Sequence, residues 1–239
     1  MRYAVVILGY KRPLLLHQTV ARVLQQEPAP AEVVVWHNAP CSESIVGVKN
    51  IWADTNYGCQ ARHAAALLLS VDAVVFVDDD IHFLHPGVCA KLLGGLIRHP
   101  LSVVGAIGRL INHTLSGPYW DDPQDYFHEE RPVGMVKGLL HAVRQPLLHH
   151  AFSLTLDQKT REEDDIVLNA SVQLATAAPS WIVDINHTDF KAVKTDNGNQ
   201  NRPDHRERRD SACKALVSLG WRPEILVQSV RNTEWRTTP

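Results

Sequence analysis

Three consecutive acids, Asp78-Asp79-Asp80, stand directly behind the apolar run Ala73-Val74-Val75-Phe76-Val77. Neighbouring carboxylates repel one another, so a divalent cation, a hydrogen-bonded sugar or solvent must offset the charge. Mg²⁺ and Mn²⁺ are hard cations that take oxygen ligands and bridge to phosphates. Successive side chains of an extended segment point to opposite sides. Asp78 and Asp80 are therefore expected to converge on one ligand while Asp79 points elsewhere. A solvated turn, or the cap of a helix after Pro86, would use the same residues. A second acidic cluster, Glu162-Glu163-Asp164-Asp165, precedes Ile166-Val167-Leu168-Asn169. It reads either as a charged first helical turn or as carboxylates aimed at a reacting group, one of them a general base or electrostatic stabiliser.

Two further stretches carry chemistry-bearing side chains. The polar, aromatic segment 111–132 holds Tyr119, Trp120, Asp121, Asp122, Tyr126 and His128. Aromatic faces beside acids suit a sugar or a stacked base. A loop packing its own aromatics is the competing reading. In Val136-Lys137-Gly138-Leu139, a residue without a side chain allows close ligand approach. Gly138 and Leu139 are thus candidates for the floor of an acceptor site, or for a simple strand kink. Near the C-terminus, Arg202, Arg206, Arg208 and Arg209 form a basic cluster diluted by Glu207 and Asp210. It suits nucleic-acid phosphates or a solvated helix face.

The elements that must position these groups alternate. Ala4–Leu8 reads as a buried strand and Pro13–Gln26 as a helix with proline in its first turn. Glu32–Trp36 and Val46–Ala53 read as strands, Cys59–Ser70 as an Ala/Leu-rich helix, and Ala73–Val77 as the strand that ends in the acids. A helix over Pro86–Arg98 and a strand over Val103–Leu110 complete the first half. Strands over Met135–Val143 and Trp181–Ile185 and helices over Asp164–Ala175 and Arg206–Leu219, the last ending at Gly220, are expected beyond it. Alternating strands and helices imply an α/β fold, a mostly parallel sheet flanked by helices. One domain is expected over residues 1–239. It divides into a ligand-binding half (1–110), an elaborated second half (111–222) and a tail (223–239).

Composition excludes several classes. The 239 residues are 45% hydrophobic and 21% charged, which rules out a disordered, collagen-like or coiled-coil chain. Lys+Arg 24 against Asp+Glu 26 leaves a net charge of -2, so no global excess demands a polyanion or a membrane. Four scattered cysteines without a CxxC argue against a zinc knuckle or a disulfide scaffold. No apolar run reaches membrane-spanning length. The apolar N-terminal stretch stops at Gly9-Tyr10-Lys11-Arg12 without a cleavage site, so a cytoplasmic location is expected. The sequons at Asn112 and Asn186 are then coincidences.

Taken together, these segments resemble GT-A fold glycosyltransferases. Val5-Val6-Ile7-Leu8-Gly9-Tyr10-Lys11-Arg12-Pro13 looks like their opening strand. Asn56-Tyr57-Gly58-Cys59-Gln60-Ala61-Arg62 resembles their Asn-x-Gly-x-x-x-Arg segment. Asp78-Asp79-Asp80 resembles their Asp-x-Asp motif, and Asp164-Asp165-Ile166 their late acidic pair. The nearest likeness is to the exostosin-like family of retaining hexosaminyltransferases, through Val34, Val35, Trp36 and Asn38, the Val-Asp-Asp-Asp string and the Asp-Asp-Ile-x-x-Asn string. Inverting family-2 transferases share most of these marks.

The resemblance implies a donor site lined by Gly9, Tyr10, Arg12, Asn38, Asn56, Arg62, Asp78, Asp79 and Arg209. Arg12 would face phosphate or base, Asn38 would lie near the base, and Arg209 would contact the diphosphate. Asp80 would bind Mn²⁺ or Mg²⁺, with His205 or His187 as a further ligand. Asp165, with Asp164, would face the reacting sugar, and Tyr119, Trp120, Gly138 and Leu139 would meet the acceptor. The implied donor is a UDP-sugar. The implied acceptor is a glycan, or a hydroxylated base in DNA approached through the basic cluster.

The departures are a missing leading helix and stem, Gly9 and Lys11 where Thr and Asn are common, and a loose match at Arg202–Arg209. The missing anchor suggests a bacterial or phage enzyme. Retaining and inverting transfer both remain open, as does oligomeric state. A sugar-nucleotide pyrophosphorylase would carry a Gly-rich loop that Gly9-Tyr10-Lys11-Arg12 is not. A degenerate domain that only binds glycans is the non-enzymatic alternative.

Overall fold

The computed structural model describes residues 1–38, 43–114, 116–120, 125–126, 128–193 and 201–237. Asp121 and Asp122, named above as acceptor-loop acids, lie outside the described residues. In chain order the elements are β1 (Tyr3–Gly9), α1 (Pro13–Val23), β2 (Glu32–His37), β3 (Lys49–Trp52), α2 (Ala61–Leu67), β4 (Ala73–Asp78), β5 (Ile81–Phe83) and α3 (Val88–Arg98). There follow β6 (Val104–Gly105), β7 (Gly108–Arg109), β8 (Asp125–Tyr126), β9 (Arg131–Val133), β10 (Met135–Val136) and β11 (Leu140–Arg144). A 3₁₀ segment (Gln145–Phe152), α4 (Gln158–Arg161), α5 (Asp164–Thr176), β12 (Ser180–Ile182), β13 (Phe190–Ala192), α6 (His205–Ser218) and α7 (Pro223–Thr237) complete it.

The main sheet runs β3-β2-β1-β4-β11-β6-β12-β9. Strands β1 to β4 are parallel, β12 is parallel to β6, and β11 and β9 are antiparallel to their neighbours. The sheet is therefore mixed and mostly parallel, with helices on its faces. In β1, Tyr3, Val5 and Ile7 enter one hydrophobic cluster and Ala4 and Val6 the other. Burial on both faces explains why β1 and β4 read as unbroken apolar runs instead of alternating ones.

Several sequence expectations are corrected. The single strand over Met135–Val143 is two, because Lys137–Leu139 leaves the ladder between β10 and β11. The strand over Val103–Leu110 likewise divides into β6 and β7, which enter different sheets. The helix α6 is not the last; the segment taken as a tail folds into α7, adjoining the fully buried Trp221. Helix α3 starts at Val88, not at Pro86. No strand is expected beyond Trp181–Ile185, yet β13 follows it and pairs with β5 just beyond the acids.

Where β6 meets β11 the backbones pack without room for a side chain. A Cβ on Gly105 would lie 2.2 Å from Val136 Cγ1 and 2.8 Å from the Leu140 carbonyl oxygen. Backbone cannot yield as a flexible side chain does. Gly105→Ala is expected to cost about 1–3 kcal/mol of unfolding free energy in urea titration. An unchanged midpoint would show that this junction is looser than described.

Candidate active site

The three acids do not alternate as expected: β4 ends at Asp78, Asp79 and Asp80 form the turn into β5, and it is those two that converge, on Arg12, while Asp78 lies apart on Arg62. Asp78, at the strand end, pairs with Arg62 Nη1 at 2.8 Å. Asp79 turns inward and is buried; its Oδ2 accepts from the Tyr10 N–H at 3.1 Å and its Oδ1 pairs with Arg12. Thr19 Oγ1 donates to the Asp79 carbonyl at 3.0 Å. Asp80 pairs with the other arm of Arg12, and its carbonyl accepts from the Val193 N–H at 2.9 Å. Burial raises Asp78 to about 6 and Asp79 to about 7, against the lowering pull of Arg62 and Arg12 respectively. Both values mark carboxylates whose charge is costly in this enclosure.

Helix α2 carries Arg62 inward, and the guanidinium links three elements. Its Nε donates to Asp164 Oδ2 at 2.7 Å, and its Nη1 reaches Asp78 and the Gly138 carbonyl, the latter at 3.0 Å. Burial opposes its charge, but Asp164 and Asp78 outweigh burial and raise its pKa. Asp164 and Asp165 begin α5, where acids complement the helix N-terminus. Asp165 Oδ2 accepts from the Gly138 N–H at 3.0 Å and from Arg209 Nη2 at 2.8 Å; its Oδ1 accepts from the Ile166 N–H at 2.9 Å. Burial would raise its pKa, but Arg209 overrides this and holds it at about 2. Arg209 also bonds Glu163 at 3.1 Å and lies 4.4 Å above the Tyr119 ring.

Beside this network lies a cleft of about 500 Å³, within the range of small-molecule sites. Tyr10, Thr55, Asn56, Tyr57, Gly58 and Gln60 form one wall. Gln158, Glu162, Glu163, Arg202, His205 and Arg208 form the other. Tyr10 ties it to Asp79, and Glu163 ties it to Arg209. Arg208 bonds Glu162 at 2.5 Å and Glu163 at 3.1 Å across α6. Burial lowers the pKa of His205, with Arg209 adding to it, so the ring is neutral at pH 7.

The structure brings Tyr10, Asn56 and His205 to the cleft and gathers Arg12, Arg62, Asp78, Asp79, Asp80, Asp164, Asp165, Arg209 and Gly138 beside it. Other sequence candidates sit differently. Arg12 is turned onto Asp79 and Asp80, not toward open space. Asn38 is buried and committed: its Nδ2 donates to Asn56 Oδ1 at 2.6 Å and to the Gly58 carbonyl at 3.0 Å, and its Oδ1 accepts from the Tyr57 N–H. It holds the loop that lines the cleft, a loop whose Gly58 has φ +75°. Gly9 faces Leu16, 2.6 Å from where its Cβ would be, so it serves the packing of α1. Tyr119 is buried between Arg109 and Arg209 and supports Arg209 from beneath. Trp120 remains partly exposed, edge-on to His205 at 6.1 Å, and donates to the Arg206 carbonyl. The Leu139 side chain packs into the core while its carbonyl accepts from the Asp78 N–H. His187 lines a separate apolar pocket of about 390 Å³ with Ile107, Ile185 and Phe190.

Tyr57, Gln60, Glu163 and Arg208 were not singled out from sequence. Glu163 and Arg208 lay inside recognised charged clusters, but nothing local told which member would face the cleft. Among the described residues no three His, Cys, Asp or Glu side chains are close enough to hold a metal ion. Among them, too, no helix is long and apolar enough to cross a membrane.

The fold is α/β, a mixed and mostly parallel sheet flanked by helices, with its acids at the carboxyl end of a central strand. No protein-family model matches the sequence, and no match is found among curated proteins. Structural likeness is clear. TarS of S. aureus, a GT-A-type glycosyltransferase, matches with TM-score 0.56 and 17% identity over 82% of this chain and 37% of that one. The 1–349 portion of TarS in complex with UDP-GlcNAc matches with TM-score 0.59 and 17% identity over 83% of this chain and 60% of that one. Without the sugar nucleotide, the same portion gives 0.54 at 16% identity, over 80% and 59%. The chain thus spans less than two thirds of each of these structures, and at such identity the likeness is one of fold.

Proposed function

We propose that the chain is a glycosyltransferase that moves a sugar from a nucleotide donor, UDP-linked by preference, to a hydroxyl acceptor. The observation that carries this is the arginine-linked carboxylate network, Asp78–Arg62–Asp164 and Asp165–Arg209, beside a polar cleft. The shared fold with a TarS structure holding UDP-GlcNAc supports it. The donor's diphosphate is anionic, and its cationic partners on that side are Arg202 and Arg208, which would exchange their pairs with Glu162 and Glu163 for phosphate, with Arg209 behind them on Asp165. Tyr10 and Tyr57 offer ring faces to a base. A hexose or hexosamine is the sugar in this reading. The acceptor is a glycan or a hydroxylated nucleobase, entering past Trp120; Gly138, expected as its floor, is covered by Arg62 and Asp165.

Mn²⁺ or Mg²⁺ fits the donor set in one way only. Asp80 has hard carboxylate oxygens, of which Oδ2 is paired with Arg12, so it would hold the ion only by sharing or opening that pair, with donor phosphates and without a protein cage. When bound, such an ion supplies Lewis-acid neutralisation of the leaving diphosphate. His205 adds a neutral ring nitrogen on the cleft wall.

Asp165 faces the reacting sugar in this reading. A carboxylate with a pKa of about 2 is a weak base for a hydroxyl proton. Locked and ionised, it suits stabilisation of positive charge on the sugar, as in retaining transfer. Inverting transfer would need Arg209 to release it first. The anomeric configuration of the product, read by NMR, decides between the two.

Calorimetry with UDP and Mn²⁺ tests the donor assignment, and binding indifferent to both would end it. Asp80→Ala is expected to abolish metal-dependent UDP-sugar hydrolysis while leaving the thermal midpoint in place. Undiminished hydrolysis in that variant would remove Asp80 from the metal site.

A further inference from the structure

Gly138 has both sides of its backbone committed outside any ladder. Its N–H holds Asp165, and its carbonyl accepts from Arg62 Nη1 and from His141 Nδ1, each at 3.0 Å. His141 lies on β11, buried, with its ring stacked on Phe76 at 4.9 Å and edge-on to His63 at 6.1 Å. A carbonyl only accepts, so Nδ1 carries the proton and Nε2 the lone pair. Burial, followed by the nearby charge of Arg62, pushes the ring's pKa well below the usual histidine value, so it stays neutral. Its Nε2 is buried without a hydrogen-bond partner. An apolar ring or branched chain in that place would avoid leaving a buried polar atom unmet. The Nδ1 bond to Gly138 is the compensating interaction.

We infer that His141 is a positioning residue: its Nδ1–H holds the Gly138 carbonyl, in the Gly138–Leu139 peptide, and so fixes the Gly138 backbone whose own N–H, in the preceding peptide, fixes the Asp165 carboxylate toward the sugar. The kinetic consequence rests on the transferase reading above; the geometric one does not. His141 touches neither donor nor acceptor, and its effect passes through one residue, from the carbonyl to the N–H of Gly138. Losing the bond leaves the Gly138 carbonyl to Arg62 and loosens the backbone at Gly138, so its N–H is held less firmly on Asp165.

Three variants separate this role from simple packing. In His141→Asn the amide nitrogen takes the place of Nδ1. In His141→Gln the amide nitrogen reaches instead toward the Nε2 position, and His141→Leu has no donor. Asn is expected to keep kcat for UDP-sugar turnover within about threefold of wild type, while Gln and Leu lose about 10- to 100-fold, with the donor's Kd changed by less than about twofold in all three. Exchange of the Gly138 amide hydrogen, followed by NMR, is expected to quicken by about tenfold in Gln and Leu but not in Asn. Equal kcat losses in Asn and Gln, or unchanged amide exchange in Gln, would overturn the role. If Leu does not fold, the Asn and Gln pair still decides. Wild-type protein that turns over no UDP-sugar would defeat the transferase reading, and amide exchange would still decide the positioning one.

Discussion

Arg62→Ala is expected to be among the most damaging single changes, costing about 3–5 kcal/mol of stability. Arg62 is only 3% exposed and bridges Asp78 from β4, the Asp164 that opens α5, and the Gly138 carbonyl between β10 and β11. Its removal leaves Asp164, itself 6% exposed, without its guanidinium, and the remaining basic partner among the described residues is the neutral His63 at 3.7 Å. Burial, ahead of the opposing charge of Asp164, lowers His63 to about 4, so at pH 7 it supplies no compensating charge. An unpaired buried carboxylate is the expensive product of such a deletion, more than the lost bonds themselves. The check is a double-mutant cycle in urea. Arg62→Met combined with Asp164→Asn removes the stranded charge and is expected to recover about half the loss. A loss below about 1 kcal/mol in the single variant would show that solvent reaches Asp164 freely.

Much of this framework is legible along the chain. The apolar run over β4 followed by acids locates a strand end, but the two-residue period stops with the strand: Asp79 and Asp80, in the turn beyond it, share Arg12, and Asp78 does not converge with Asp80. The acids opening α5 follow from the preference of helix N-termini for negative charge. What lies beyond local pattern is pairing across the fold. Arg12 and Asp80 are 68 positions apart, Arg62 and Asp164 102 apart, and no periodicity relates them. A basic residue after the first strand is equally suited to a phosphate or to a neighbouring carboxylate; only the sheet order, which sets β1 beside β4, decides. Asn38 shows the same limit. An asparagine at a strand end can meet a ligand or tie down a loop, and burial makes the second its role here. Tyr119 reads as exposed because its neighbours are polar, yet two arginines cover its ring. His63 and His141 carry no sequence signal at all, since a lone histidine in an apolar run has no partner in view. The break between β10 and β11 was hidden for a related reason. Val136 and Leu139 look like strand, while the peptide between them is diverted by Asp165 and Arg62.

That diversion makes Gly138→Ala the sharpest test of the site. Gly138 does not have a left-handed backbone, so alanine meets no conformational penalty of that kind. Space alone opposes it. The new Cβ would lie 2.7 Å from Arg62 Nη2 and 3.1 Å from Asp165 Cβ. A guanidinium at the end of a free side chain would swing aside at little cost. This one is held by Asp78 and Asp164, so the methyl must strain those pairs or push the peptide off Asp165. Overpacking of this kind costs about 1–3 kcal/mol. A displacement on the order of 1 Å at a reacting group lowers turnover by about 100-fold. The cleft walls formed by Tyr10, Asn56 and Tyr57 are untouched, so UDP affinity is expected to hold within about threefold. Loss in kcat with UDP binding retained therefore marks the Gly138 peptide as the support of Asp165. Full turnover in Gly138→Ala would mean that Asp165 does not depend on it. Equal losses of turnover and UDP affinity would mean that the methyl collapses the cleft instead.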